Sequence, residues 1–144
     1  MTHIGIDVGE ARIGLAISQG ELVLPVESFQ NNASGVASLI DEIAFRKPEL
    51  VFVGLPLNLK GDNTPSTYKA IEFAKRLALE GFEVRMIDER LTTRTAQSQL
   101  RSAGKSSKQS RGIIDAVAAA AILEFALSHK THAPVGISLE ELDV

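Results

Sequence analysis

Three places in this chain put carboxylates where an acid is out of character with its surroundings. Asp7 interrupts the apolar run Ile4 to Val8, in which an unpaired carboxylate is costly to desolvate, so its presence asks for a cation or a partner. On strand parity it shares a face with Gly5 and Gly9, whose missing side chains leave room beside it for a metal ion and a phosphate. A turn aspartate, or one paired with Arg12, would account for the residue equally well. Asp88 and Glu89 close a second strand, expected over Glu83 to Ile87, at the carboxyl end where sheets of this kind collect ligands. Successive side chains alternate, so at most one of the two points toward Asp7, and the other is left to cap the turn or to pair with Arg90. Asp115 lies about one turn into an alanine-rich helix, on a stripe with Ala118 or Ala119, Ile122 and Ala126, which is the face that must pack on a sheet. An aspartate there also suits the helix dipole without any function.

If these acids converge, the chemistry is metal-assisted hydrolysis. Oxygen donors from two strands and one helix can hold two magnesium ions about 4 Å apart, one activating water and the other stabilising the leaving oxygen of a phosphodiester. Without cations the carboxylates would repel one another and a nucleic-acid substrate. The chain has no cysteine, which leaves oxygen and imidazole as ligands and favours Mg2+, or Mn2+, as the cofactor. His3, His129 and His132 have no spacing that joins them into a metal site.

The formal net charge of -3 argues against binding a polyanion by bulk charge alone. Basic residues are nonetheless concentrated in one stretch, Arg94, Arg101, Lys105, Lys108 and Arg111, of which Lys105, Lys108 and Arg111 are placed to track a phosphate backbone. Arg12 is either a phosphate contact or the neutraliser of an acid, and Asn58, Lys60 and Asn63 form a weaker polar set. Ala103-Gly104-Lys105-Ser106 imitates the end of a P-loop but has Gln99 where that motif needs glycine. With one tyrosine and no tryptophan there is no platform for stacking single-stranded bases, so shape and backbone are the expected basis of recognition.

The elements that must position these residues follow from periodicity and turn chemistry. Ile4 to Val8, Ile13 to Ser18 and Leu22 to Phe29 read as three hairpin-linked antiparallel strands, with Pro25 confining the third to an edge or bulge. Val36, Leu39, Ile40, Ile43 and Ala44 recur at helical spacing up to Pro48. Leu50 to Gly54 is apolar on both parities and reads as a strand covered on both faces. A loop over Pro56 to Thr64 leads to a helix capped by Thr64, begun by Pro65 and stopped by Gly81, with Ile71, Ala74, Leu77 and Ala78 on its inner face. After the strand that delivers Asp88 and Glu89 come a helix from Thr92 or Thr93 to about Arg101, a basic loop, and a last helix from Ser110 or Arg111 to Leu127. The fold class is therefore α/β, a central mixed five-stranded sheet, three antiparallel strands and then two parallel, flanked by helices.

At 144 residues, with no linker or repeat, one domain spans 1–144, with an acidic and flexible tail from about 129. The first residues carry neither a basic lead nor an apolar run, and no apolar stretch could cross a membrane, so a soluble cytoplasmic protein without membrane contact is expected.

Four ordered motifs extend the reading. Gly5-Ile6-Asp7-Val8-Gly9 with Arg12, Gly14 and Ala16 is followed by Val53-Gly54-Leu55-Pro56-Leu57-Asn58 with Gly61. Then come Asp88-Glu89-Arg90-Leu91-Thr92-Thr93 with Ala96, and Asp115-Ala116-Val117-Ala118-Ala119 with Ile122-Leu123. The first alone is shared with sugar kinases and actin-like ATPases. All four in this order resemble the bacterial YqgF/RuvX family of pre-16S rRNA nucleases, also described as Holliday-junction-resolvase-like proteins, from Ile4 to about Leu127. The resemblance implies a ribonuclease-H-like fold and catalytic, metal-holding acids at Asp7, Glu89 and Asp115, which selects Glu89 over Asp88. It implies a Mg2+-dependent endonuclease that hydrolyses structured RNA at the 5′ end of precursor 16S ribosomal RNA, with that RNA or a pre-ribosomal particle as partner. Resolution of branched DNA, or a non-catalytic RNA-binding role in ribosome assembly, is the alternative, and the expected state is a monomer or weak homodimer. One departure from the family is the apolar Gly112-Ile113-Ile114 before Asp115, where many members are more basic.

Overall fold

The structure, a computed structural model, describes residues 1–91, 107–128 and 137–141, and side chains within these except at 91 and 107–113. β1 (His3–Val8), β2 (Arg12–Gln19) and β3 (Leu22–Gln30) form the antiparallel meander. In it Asp7 stands opposite Gly14. Leu15 faces Glu27 while Ala16 faces Pro25, so the chain bulges at Val26, beside a proline that has no N–H to contribute to the ladder.

α1 (Ala33–Arg46) begins where the Asn32 side chain accepts a hydrogen bond from the Gly35 N–H, and ends at Lys47 in a left-handed conformation, φ 49, before Pro48. Leu39 and Ile43 are its buried residues; Ala44, expected on the same face, is exposed because the helix meets the sheet along a narrower stripe. β4 (Leu50–Leu55) pairs parallel to β1, as does β5 (Val84–Asp88) to β4. Between them α2 (Pro65–Leu79) carries the capping box expected from Thr64 and Pro65, with Thr67 closing it reciprocally. It buries Ala70, Ile71, Phe73, Ala74 and Leu77, leaves Ala78 exposed, and is followed by Gly81 at φ +100.

Among the described residues there are six strands rather than five, in the order β3-β2-β1-β4-β5-β6. The addition, β6 (Ile137–Ser138), pairs antiparallel with Arg85 and Met86 and lies in the tail expected to be loose. Two residues of strand carry too little alternation to be legible in a polar segment. α3 (Ser107–Ser128) starts earlier than Ser110, and the helix expected between Thr92 and Arg101 lies outside the described residues.

The sheet separates two cores. Ile4, Ile6, Ile13, Leu15, Val51, Val53 and Met86 pack with α1 and α2 on one face, while Ala16, Phe52 and Ile87 pack with Ala119, Ile122 and Leu123 of α3 on the other. β4 is thus covered on both faces, as its doubly apolar sequence requires. None of the described helices is long and apolar enough to cross a membrane.

Candidate active site

Strand parity decides which acids meet. Ile4 and Ile6 point into the α1/α2 core, so Gly5 and Asp7 face α3. Along β5, Met86 belongs to the α1/α2 core and Ile87 to the α3 core, which leaves Asp88 and Glu89 on opposite sides. A single 3-10 turn, Glu89–Leu91, ends the strand and holds Glu89 at its carboxyl end.

Glycines give the acids their room. A Cβ on Gly54 would lie 2.8 Å from both Cγ and Cδ of Glu89 and 2.7 Å from Cδ1 of Ile122, so the Glu89 side chain occupies the space above β4 that any other residue would fill. A Cβ on Gly14 would strike the backbone carbonyl of Asp115, and one on Gly5 that of Ala119. α3 therefore rests on β1 and β2 by backbone contact one helical turn apart, and this brings Asp115 over the end of the meander. The small residues Ala118 to Ala121 permit the same close approach from the helix side.

Asp7, Glu89 and Asp115 come together as a group. The carboxyl of Asp7 hydrogen-bonds that of Glu89. Asp7 retains some surface, but its carboxyl is enclosed by protein, and its pKa is held well above the ordinary 3.8. Desolvation is the largest cause; the hydrogen bond and negative charge of Glu89 add to it, and the charge of Asp115 adds further. Asp115 accepts a hydrogen bond from Arg12 Nε at 2.7 Å, with the two side chains 15% and 27% exposed. Arg12 is thus the partner of Asp115, not of Asp7. No group of three His, Asp or Glu side chains among the described residues has an arrangement that could hold a metal ion.

Asp88 turns away from the group and takes Arg90. Both its oxygens accept from Arg90 Nε at 3.0 Å, Oδ2 accepts from Nη2 at 2.5 Å and Oδ1 from the backbone N–H at 2.9 Å, an arrangement that lowers its pKa. Arg90 lies in turn beside Gly61, φ +87, where a Cβ would come within 3.0 Å of Nη1. Asn58 orders that same loop: its Oδ1 accepts from the N–H groups of Lys60 and Asp62 at 3.0 and 2.9 Å. The structure therefore puts Asn58 to work within the loop beside Arg90. Lys105 and the side chains of Lys108 and Arg111 lie outside the described residues.

Sequence reasoning missed Gly54 and Asn31. Gly54 stands in an apolar strand where its absence of side chain looks incidental until β1, β4 and β5 are placed in order. Asn31 reads as one residue of a polar turn, yet its Nδ2 donates to the Gly9 carbonyl at 2.8 Å and its N–H to that of Ala11 at 2.9 Å. It thereby pins the turn between Asp7 and Arg12.

Comparison with known proteins bears on the family and the fold. Residues 1–129 match the model of the family described as "RuvX: Holliday junction resolvase". A protein of Leifsonia xyli is 40% identical over 96% of this chain and 94% of its own length, and one of Clavibacter sepedonicus is 46% identical over 88% and 82%. Both carry the name "Putative pre-16S rRNA nuclease". Among solved structures, Thermus thermophilus RuvC in complex with a Holliday junction substrate superposes with TM-score 0.59 at 18% identity, over 94% of this chain and 99% of RuvC. A second structure of Thermus thermophilus RuvC superposes with TM-score 0.55 at 18% identity. The shared fold is ribonuclease-H-like. By its motifs, by its match over residues 1–129 and by its relatives, this chain belongs to the RuvX (YqgF) family.

Proposed function

We propose that this chain is a divalent-metal-dependent endonuclease that hydrolyses phosphodiester bonds in structured RNA, acting at the 5′ end of precursor 16S ribosomal RNA. The observation that carries the reading is the enclosed Asp7 carboxyl, hydrogen-bonded to Glu89 and within the field of Asp115. A fold gains nothing in stability from gathering like charges at a strand end. Such a group is tolerable when a proton or a cation lies among its oxygens, and the all-oxygen donor set suits Mg2+ or Mn2+.

Asp7, Glu89 and Asp115 are the residues that would hold the ions. Bound divalent ions supply an acidified water and compensation for charge on the phosphate and leaving oxygen. The protein's own part is positional. Gly54 keeps the path from Asp7 to Glu89 clear, Gly14 sets the height of Asp115 above the sheet, and Arg12 supplies a guanidinium fork at the rim that suits a phosphate. Lys105, Lys108 and Arg111, which precede Asp115 in sequence, would follow the backbone farther out.

The RNA substrate is favoured by the names of the relatives at about 40% identity. Branched DNA is the second reading, favoured by the family description and by the RuvC complex. A pre-ribosomal particle as partner, a cytoplasmic location and a monomer or weak homodimer complete the proposal. The deciding experiment measures cleavage of a precursor 16S RNA fragment and of a four-way DNA junction with Mg2+, for wild type, Asp7→Asn, Glu89→Gln and Asp115→Asn, with a thermal melt of each. RNA cleavage lost in all three folded variants is expected; activity retained in any two ends the shared-site reading, and cleavage confined to the junction moves the substrate to DNA.

A further inference from the structure

We propose that Arg12 is a positioning residue that keeps Asp115 apart from the Asp7–Glu89 pair until a nucleic-acid phosphate takes its guanidinium. This rests on the nuclease reading above and adds to it the order in which the site is completed. The basis is an asymmetry among the three acids. Asp7 and Glu89 share a hydrogen bond, whereas Asp115 acts on Asp7 only through its charge and is itself bound by Arg12 Nε at 2.7 Å. Among the described residues no group of three acids is arranged to hold an ion.

The backbone on both sides of this ion pair is fixed. α3 touches β2 at Gly14 through the Asp115 carbonyl and β1 at Gly5 through the Ala119 carbonyl, with no gap for a helix shift. Arg12 leaves β2 directly after a turn closed by the Gly9 N–H to the Arg12 carbonyl at 2.8 Å and by the two bonds from Asn31. Transfer of the Asp115 carboxylate from Arg12 to the acidic pair is therefore a side-chain rotation between staggered states.

The exchange leaves no charge without a partner. Arg12, 27% exposed, trades a carboxylate for a phosphate of matching fork geometry, and Asp115, 15% exposed, trades a guanidinium for a divalent ion. Without substrate, the guanidinium competes with the ion for Asp115. Nucleic acid and metal ion consequently strengthen each other's binding by one common factor, since coupling between two sites is reciprocal.

The test is Mn2+ affinity of the full chain, measured by electron paramagnetic resonance titration with and without a stem-loop RNA carrying phosphorothioate linkages throughout. For wild type the RNA is expected to tighten Mn2+ binding about tenfold, within the usual range of such coupling. Arg12→Gln is expected to bind Mn2+ about tenfold more tightly than wild type without RNA, and to gain less than about twofold from RNA. Asp115→Asn, which needs no change at Arg12, is expected to keep weak Mn2+ binding and to lose the coupling. Unchanged affinity and coupling in Arg12→Gln, or full coupling in Asp115→Asn, overturns the proposal. If in that case Asp7→Asn still abolishes Mn2+ binding, the nuclease reading stands without it; wild type that binds no Mn2+ under either condition removes both.

Discussion

The carboxyls of Asp7 and Glu89 are hydrogen-bonded although their strands are not neighbours: β4 runs between β1 and β5, and the two side chains meet over Gly54. One residue with no side chain thus turns two separate strand ends into one site. Two consequences follow, one for ionisation and one for sterics.

The first concerns pH. Asp7 in the folded, ion-free chain holds its proton well above the ordinary 3.8, so between that value and its raised pKa the folded state binds more protons than the unfolded state. Stability contributed by the protonated group is complete below the ordinary value and is lost as the pH rises through the raised one. Thermal melts of ion-free protein in a chelator from pH 4 to pH 8 should therefore fall in Tm with rising pH. Asp7→Asn should flatten the fall and raise the Tm of the ion-free protein at pH 7. Parallel curves for the two proteins would mean that Asp7 is not enclosed with like charge.

The second concerns Gly54. The atoms that a new Cβ would meet, Ile122 Cδ1 at 2.7 Å and Glu89 Cγ at 2.8 Å, are the outer parts of flexible side chains. Gly54→Ala is expected to cost only about 1 kcal/mol in stability. Displacement of Glu89 should cost cleavage about a hundredfold, because a carboxylate moved by about 1 Å no longer serves the reacting atoms. Gly20→Ala is the matched control: Gly20 has φ +63 and nothing within 4 Å, so the substitution strains the turn between β2 and β3 far from the acids. Cleavage and melting measured on both should separate a site effect from a loss of fold, and equal activity in the two would remove Gly54 from the site.

Much of this arrangement was legible in the residues. Asp7 stood out because an acid in an apolar strand contradicts its neighbours, and parity alone required Asp88 and Glu89 to diverge. Thr64 and Pro65 announced α2 through local capping chemistry, and the doubly apolar β4 announced its two covered faces. What was not legible depends on contacts between distant segments. The partner of Arg12 lies 103 positions away and is chosen by how α3 seats on Gly14 and Gly5, which no local pattern records. β6 escaped notice for a different reason: its two residues are held by the exposed edge of β5, not by any preference of their own.

Asn58 is open to a direct test of its role. Its Oδ1 collects the N–H groups of Lys60 and Asp62, a task that an aspartate performs equally well and an alanine cannot. Asn58→Ala should loosen the loop beside Arg90, lowering stability by about 1 kcal/mol and raising KM for RNA. Asn58→Asp should restore both. Failure of the aspartate to restore KM while restoring the melt would mean that the Asn58 amide touches the substrate itself.

The basic stretch before Asp115 makes its prediction from charge alone. A chain of net charge -3 repels a polyanion at long range, so its affinity must come from a few local cations, and each phosphate that they neutralise should appear in the salt dependence of binding. Lys105→Ala combined with Lys108→Ala should lower RNA affinity and reduce the slope of log affinity against log salt by roughly 1.5 to 2. Single-turnover cleavage at saturating RNA should be unaffected, because neither lysine is asked to touch the reacting phosphate. An unchanged slope would shift the polyanion contact to another face, with Arg12 at the rim of the acidic site and Arg90 beside Gly61 as the next cations to replace.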